Sequence, residues 1–490
     1  MTKSLKGKKF FLDSHGCAKN QVDSELIISK LEQMGMLLCD TAEAADLIFI
    51  NSCGFIESAK KESLDSLMDA RNAFPDKKII LGGCLAERYS KVFEKELPEA
   101  DGIFGNGDLD KVNEVVEDVF ADKRSVVVPL QEGVCCGTRN HSLSFPGSSF
   151  VKVTEGCNNC CTFCAIPLIR GKLRSRKISE ITDEIKLLVS SGVKEINLIG
   201  QDLAAYGCGE KDDVTGKGIN YYNELYVDAK QIVLEDKFFD GVKIHSPLYE
   251  LCKAISLIEG DFWIRLLYIH PDHFNSDVLQ IMKNDKRFLP YFDIPFQSGD
   301  DSVIKAMNRK GSFVSYKKVV ETIRSSFPES CIRTTLLAGF PGESDENAKN
   351  TLEFVKQIKP DWAGCFYYSR EEDTPAALMK NQVKSKVKLE RKQKLEETQI
   401  PITEESLRKR VGKVYKVLVE EIIKNESGSD EGLALGRAWF EAPEVDGSFV
   451  IRYDLDDERA VKMVTPGSFV NVKALASSGV DLDGELIVSE

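Results

Sequence analysis

The sequence predicts an α/β protein in three parts. A small open parallel α/β domain comes first, a partial (βα)6 barrel second and an antiparallel β-barrel last. Three observations predict this. Short apolar runs alternate with helix-spaced segments up to about Arg124, as they do where helices cover a parallel sheet. Six further strand–helix units lie between residues 148 and 397. From Gly412 onward, apolar and polar residues alternate between Gly, Pro and Asp turns, the pattern of short antiparallel strands.

The bulk numbers agree. A chain of 490 residues is too long for one core and suits about three domains. Its 42% hydrophobic and 29% charged content is that of a soluble globular protein. Apolar stretches such as Asp46–Asn51 are strand-sized, and none could span a bilayer. Lysines 3, 6, 8 and 9 precede only Phe10-Phe-Leu12, too short for a signal peptide, so a cytoplasmic location and no membrane partner are expected. In that reducing setting the fourteen cysteines argue for metal ligation over disulfides. A net charge of −13 argues against a broad grip on nucleic acid and suits a basic partner.

The first part, residues 7–124, has strand-like runs at Lys8–Asp13, Asp46–Asn51, Lys78–Leu81 and Asp101–Phe104, with helical spacing over 22–31 and 55–70. Cys17, Cys53 and Cys84 each come just past the end of a strand. Those ends converge on one crevice of a parallel sheet. The three thiols should therefore meet in space, and glycines beside all three would let backbone approach a bulky inorganic group. Ordinary buried cysteines are the bland alternative, weaker for three at equivalent positions. Residues 125–147, with Cys135-Cys136, read as a linker.

The second part, residues 148–397, has strand candidates at 150–153, 195–199, 262–267, 291–294, 332–337 and 362–367. In such a barrel the chemistry sits at the C-terminal strand ends. Residues 207–246 break the rhythm and read as an insertion. The third part, residues 412–490, has strands expected at 413–420, 433–440, 448–453 and 468–475. It holds eight Lys and Arg against sixteen Asp and Glu, −8 of the chain's −13.

The most specific signal is Glu155-Gly-Cys-Asn-Asn-Cys-Cys-Thr-Phe-Cys164. Only Cys157, Cys161 and Cys164 give the CxxxCxxC spacing; Cys160 falls outside it. Three thiolates on a four-iron cluster leave one iron open to a small molecule. Zinc prefers four ligands from paired motifs, and the five histidines are scattered; His270-Pro-Asp-His273 reads as a loop beside a strand end. The run resembles the signature of radical S-adenosylmethionine (SAM) enzymes. That resemblance implies that the amino and carboxylate groups of SAM take the open iron and that one electron splits SAM to a 5′-deoxyadenosyl radical. Phe163 would face the adenine, Gly339 and Gly342 in Leu336–Glu343 would let backbone near the nucleoside, and Gln201 and Arg333 are candidates for SAM's polar ends. For these contacts a strand terminus and a surface turn are equally open readings.

A second three-cysteine site, also with one iron open, implies a division of labour in which one cluster makes the radical and the other holds a sulfur species. Over nearly its whole length the chain resembles the radical SAM methylthiotransferases, whose parts are an N-terminal cluster domain, a radical SAM domain and a C-terminal TRAM barrel. The resemblance implies two 4Fe-4S clusters, one on Cys17, Cys53 and Cys84 and the other on Cys157, Cys161 and Cys164, with SAM as cofactor. Gly16–Glu25, Asn51–Ala59, Tyr291–Gln297, Tyr368–Ala377 and Gly436–Gly447 are similar to the RimO branch. That branch modifies the β-carbon of an aspartate in small-subunit ribosomal protein S-twelve. The implied partners are that protein or the small ribosomal subunit, and a reductase or flavodoxin-like electron donor. Ala18 and Gln297–Asp300 depart from the RimO pattern, and the basic Gly171–Arg176 leans toward the alternative, a tRNA methylthiotransferase of the MiaB type. The acidic barrel favours the protein substrate, because a tRNA-gripping barrel should be basic. The basic run Lys172–Lys177 could otherwise be a solvated charged face.

Overall fold

A computed structural model describes residues 5–215, 237–239, 242–424 and 430–488. The first sheet is parallel throughout, with β1 (Lys9–Ser14), β2 (Leu37–Leu38), β3 (Leu47–Ser52), β4 (Lys78–Gly82), β5 (Gly102–Phe104) and β6 (Ser125–Val127) in the order 2-1-3-4-5-6. Every residue of β3 is buried, as a central parallel strand requires. Of the six strands, β2 is too short for any periodicity to reveal. β6 falls within the expected linker, so the first sheet continues past residue 124. The rest of that connector is a strap rather than a free linker. Arg139 pairs with Glu25 at 2.5 Å and Glu184 at 2.7 Å, and Glu25 also accepts the Leu143 N–H at 2.8 Å.

The second sheet begins with β7 (Ser148–Lys152). A two-residue ribbon, β8 (Thr154–Glu155) with β9 (Arg174–Ser175), brackets the Cys157 loop. Then come β10 (Glu195–Ile199), a separate antiparallel ribbon of β11 (Lys237–Phe239) and β12 (Val242–Ile244), and β13 (Trp263–Leu266), β14 (Phe288–Asp293), β15 (Cys331–Ala338) and β16 (Trp362–Tyr367). Six of these form one parallel sheet in the order 16-15-14-13-10-7, the expected partial barrel. The expected insertion starts too early at 207. Val214 is buried in the barrel core, and its carbonyl accepts the Ile178 N–H at 3.0 Å. Residues 216–236 and 240–241 lie outside the described residues. The expected boundary at 397 falls inside the helix Ser385–Arg408. This helix buries Leu395, Gln399, Thr403 and Leu407, one side chain per turn. Gln399 donates to the Pro360 carbonyl and Thr403 to that of Asp361, each at 2.7 Å. Two polar members of the buried stripe hid the helix's core face from the sequence pattern.

The third part is a closed barrel of β17 (Val414–Ile423), β18 (Glu431–Ala438), β19 (Phe449–Asp454), β20 (Phe469–Ser478) and β21 (Asp481–Leu486), ordered 17-18-19-21-20. Sequence reasoning expects four strands, all antiparallel. The fifth, β21, runs antiparallel to β20 and parallel to β19. A ring of five strands cannot alternate all the way round, so closure forces one parallel pair.

The barrel docks on the second sheet through a fully buried charge network. The Glu195 carboxylate receives Arg265 at 2.9 Å and Arg437 from β18 at 2.5 Å, and Arg437 also pairs with Glu420 at 2.6 Å. Against the cost of burial, the two guanidiniums hold Glu195 well below the usual carboxylate range. Glu441 is different. Its Oε2 accepts the Ala438 N–H at 2.8 Å, but Oε1 has no hydrogen-bond partner, and burial pushes the carboxyl up to about 8. The folded state thus holds a proton that the unfolded chain releases near pH 4.5. This group's contribution to stability falls as pH rises from about 4.5 through about 8. Glu441→Gln should flatten that part of the stability–pH profile measured by urea unfolding; an unchanged slope would show that Glu441 is ionised throughout.

Candidate cluster-binding site

The first three cysteines gather at the C-terminal edge of the first sheet. Cys17 is the N-cap of the helix Ala18–Gln33, and Cys84 is the second residue of the helix Gly83–Glu96. Helix N-termini favour thiolates. Gly16, at φ +100°, sits against the Cys53 turn; a Cβ there would stand 3.0 Å from Cys53 Cβ and 3.1 Å from its sulfur. Only glycine combines that conformation with that approach. Burial, then the neighbouring Cys84 and Cys17 sulfurs, pushes Cys53 up to about 12. Burial also raises Cys84, opposed by the Arg170 guanidinium. The three thiols form a soft, all-sulfur donor set, which fits an iron–sulfur cluster.

The second trio follows β8. Cys157, Cys161 and Cys164 are partly buried, whereas Cys160 is exposed at φ +50°. Burial raises all three thiols, Cys164 to about 12 with Cys161 as the next cause, and Cys157 feels Asp202 and both partners. The loop is held by Asp202, whose Oδ2 accepts Asn159 at 2.9 Å and contacts His273 Nδ1 at 2.6 Å. Asp202, His270 and His273 bring ligand atoms within 4.8 Å of one another. Their mutual hydrogen bonds, and His270 Nε2 at 3.9 Å from the Cys161 sulfur, make them a scaffold for the loop. The 270–273 stretch is a 3-10 turn past β13, as the sequence suggests.

The two trios share a wall. Cys84 packs with Ala165 and Ile169, the residues just past Cys164. From the same short helix, Ile166–Arg170, the buried Arg170 donates to Cys84 Sγ and Asn20 Oδ1 at 3.2 Å, and to Asp23 and Glu155 at 2.9 Å. Asp23 and Glu155 also take Lys152, at 2.5 and 2.7 Å. One salt-bridge knot therefore ties both ends of the Cys157 loop to the first trio. Sequence reasoning missed Arg170, Asn20 and Asp23. The available signal was a cluster of polar residues on the apolar face of the first helix. It also missed Glu371, which accepts Lys60 and Arg88 at 3.0 Å while Arg88 donates to the carbonyl of Gly54, the residue after Cys53.

The structure gathers some of the SAM-contact candidates and separates others. Phe163 packs in one apolar cluster with Phe340, Tyr368, Met307 and Ala376, which places it beside the Leu336–Glu343 run. Gly339 and Gly342 both adopt positive φ; the Gly339 N–H goes to Glu343 at 3.0 Å and the Gly342 N–H to the Asn381 carbonyl at 2.9 Å. Gln201 donates to Glu155 at 3.2 Å, leaving its buried Oε1 without a partner. Arg333 is engaged by Asp293 at 3.1 Å and by Asp446 of the barrel at 3.3 Å. It stands as a tie between the barrel and the second sheet. Of the basic run after Gly171, Arg176 is buried against Glu184 at 2.6 Å and Arg174 donates to three backbone carbonyls, while Lys172, paired with Glu210, and Lys177 are exposed.

Comparison with known proteins matches residues 9–105 to "Uncharacterized protein family UPF0004", 151–355 to the "Radical SAM superfamily" and 411–487 to the "TRAM domain". The chain is 47% identical to the ribosomal protein uS12 methylthiotransferase RimO of Treponema denticola, over 96% of this chain and 99% of that one. The chain belongs to the RimO family. Members from Acetivibrio thermocellus, at 34% identity over 98% of each chain, and Bdellovibrio bacteriovorus, at 35% over 99% of each, match equally far. The radical SAM methyltransferase TsrM from Kitasatospora setae shares the fold, with a TM-score of 0.50 at 10% identity over 76% of this chain and 74% of that one. Family membership is thus carried by full-length sequence likeness, and the structural likeness shows the fold alone.

Proposed function

We propose that this chain is a radical SAM methylthiotransferase that adds a methylthio group to the β-carbon of an aspartate in ribosomal protein uS12. The observation that carries it is the shared wall: two three-thiol sites, one with the CxxxCxxC spacing, joined through Arg170. Cys157, Cys161 and Cys164 hold the SAM cluster, and Cys17, Cys53 and Cys84 hold the second 4Fe-4S cluster. When bound, the first supplies the electron that cleaves SAM and the second carries the sulfur to be inserted. The protein's own contribution is positional. Arg170 and Lys152 neutralise Asp23 and Glu155 so that the two ends of the Cys157 loop stay buried, and Phe163 and Phe340 give the nucleoside an apolar seat.

The acidic barrel supports a basic protein partner reached by electrostatic attraction. Arg176, buried against Glu184, and Arg174, committed to backbone carbonyls, are taken out of the phosphate grip that a tRNA substrate would need. A reductase or flavodoxin-like protein supplies the electron, and the work is done in the cytoplasm; no helix of the described residues is long and apolar enough to cross a membrane. Deleting the gene should remove one methylthio increment from the mass of uS12 and leave tRNA nucleosides unchanged. Loss of a methylthio-adenosine instead would transfer the assignment to tRNA. Anaerobically reconstituted protein should hold roughly eight irons.

A further inference from the structure

We infer that Lys19 receives the acidic side chain of the substrate, a reading that rests on the methylthiotransferase function proposed above and names the residue that recognises its target. Lys19 lies two residues past Cys17 and is only 7% exposed. Its ammonium stands 3.6 Å from the centroid of the Tyr268 ring. Among the described residues that ring is its partner, and no carboxylate or carbonyl lies within ion-pair or hydrogen-bond distance of it. The other buried cations around it are all matched. Lys152 and Arg170 share Asp23 and Glu155, and Arg333 has Asp293 and Asp446. A desolvated ammonium facing only a ring is costly unless an anion joins it.

Tyr268 has φ +63°, rare for a bulky side chain and characteristic of functional sites. It is pinned there by its N–H to Asp293 at 3.1 Å and by the Leu203 N–H to its carbonyl at 2.9 Å. The charges bearing on its hydroxyl are Cys17, Asp293, Arg333 and Glu444 of the barrel, so all three parts of the chain meet around it. Cys17, two residues before it, is the leading charged group acting on Lys19 after burial. Lys19 therefore stands beside the first trio, where sulfur is delivered. An aspartate entering there would complete an ammonium–carboxylate pair on a ring face, with its β-carbon one bond from the captured group. A neutral base would leave the ammonium as it is.

The test measures affinity, using anaerobically reconstituted full-length protein and two synthetic uS12-loop peptides, one with the target aspartate and one with asparagine in its place. The wild-type protein should prefer the aspartate peptide. Lys19→Met should keep the wild-type iron content, bind the aspartate peptide about 100-fold more weakly and lose the preference, as expected for truncating one side of a buried charge pair; Lys19→Arg should restore part of it. A Lys19→Met protein that keeps the preference overturns the inference. So does one that loses iron with the preference intact, which would make Lys19 a counter-ion of the cluster, or one weakened only for SAM. If the wild-type protein neither binds nor methylthiolates uS12, the functional proposal itself falls, a result separable from any behaviour of the variant.

Discussion

Cys161→Ala should abolish formation of 5′-deoxyadenosine, while Cys53→Ala should leave it measurable and stop methylthiolation. The contrast follows from the two donor sets. Cys161 is the central ligand of the CxxxCxxC loop, and its neighbours Cys157 and Cys164 supply only two thiolates once it is gone, too few to hold a four-iron cluster with a single open corner. Cys53 belongs to the other trio, whose protein contacts with the loop run through Cys84 and Arg170. Removing the Cys53 sulfur leaves the Arg170 knot and the loop in place. Iron content should fall by about half in each variant, and product analysis by mass spectrometry separates the two losses. A Cys161→Ala protein that still cleaves SAM would refute the assignment of the trios, as would a Cys53→Ala protein that still modifies uS12.

Glu195→Ala should cost about 3–5 kcal/mol, because it strands the Arg265 guanidinium in a buried site and takes one of two carboxylates from Arg437. Arg265 donates two hydrogen bonds to Glu195 and Arg437 two more. Of the two, only Arg437 keeps a second carboxylate, Glu420. Because Glu195 belongs to β10 and Arg437 to β18, the loss should fall on the docking of the barrel, seen as early proteolysis near residues 409–413 and a lower denaturant midpoint. Replacing the whole network, Glu195, Arg265, Arg437 and Glu420, by Met should recover much of the loss, since well-packed apolar groups replace buried ion pairs at little cost. A loss below about 1 kcal/mol in Glu195→Ala would mean that the network is solvated and the barrel is held by its apolar contacts instead.

Most of the strands could be read directly because each has one dominant local signal. The central strands of both parallel sheets are buried on both faces, so apolar runs at Asp46–Asn51 and Glu195–Ile199 mark β3 and β10 to within a residue or two. The strands that escaped, β2, β6, β8, β9, β11, β12 and β21, are short or follow a turn with no apolar run. β21 is fixed by barrel closure, which is a property of the ring and not of its own six residues. The boundaries at 124, 207 and 397 were misplaced for a related reason. Ser125–Val127, Val214 and the Gln399–Thr403 stripe belong to cores through partners that are distant in sequence, which periodicity does not see.

The sequence by itself determined which sulfurs could be ligands, since thiolate spacing within one loop and thiol positions after parallel strands are set by local chain geometry. It also determined that the barrel is acidic, because charge is a sum over residues. Tertiary structure alone decided that the two trios share a wall, that Arg170 bridges them, that Arg333 ties down the barrel and that Lys19 is left facing a tyrosine ring. Those are relations between buried charges, and the energy of a buried charge depends on what stands within a few ångströms of it in space.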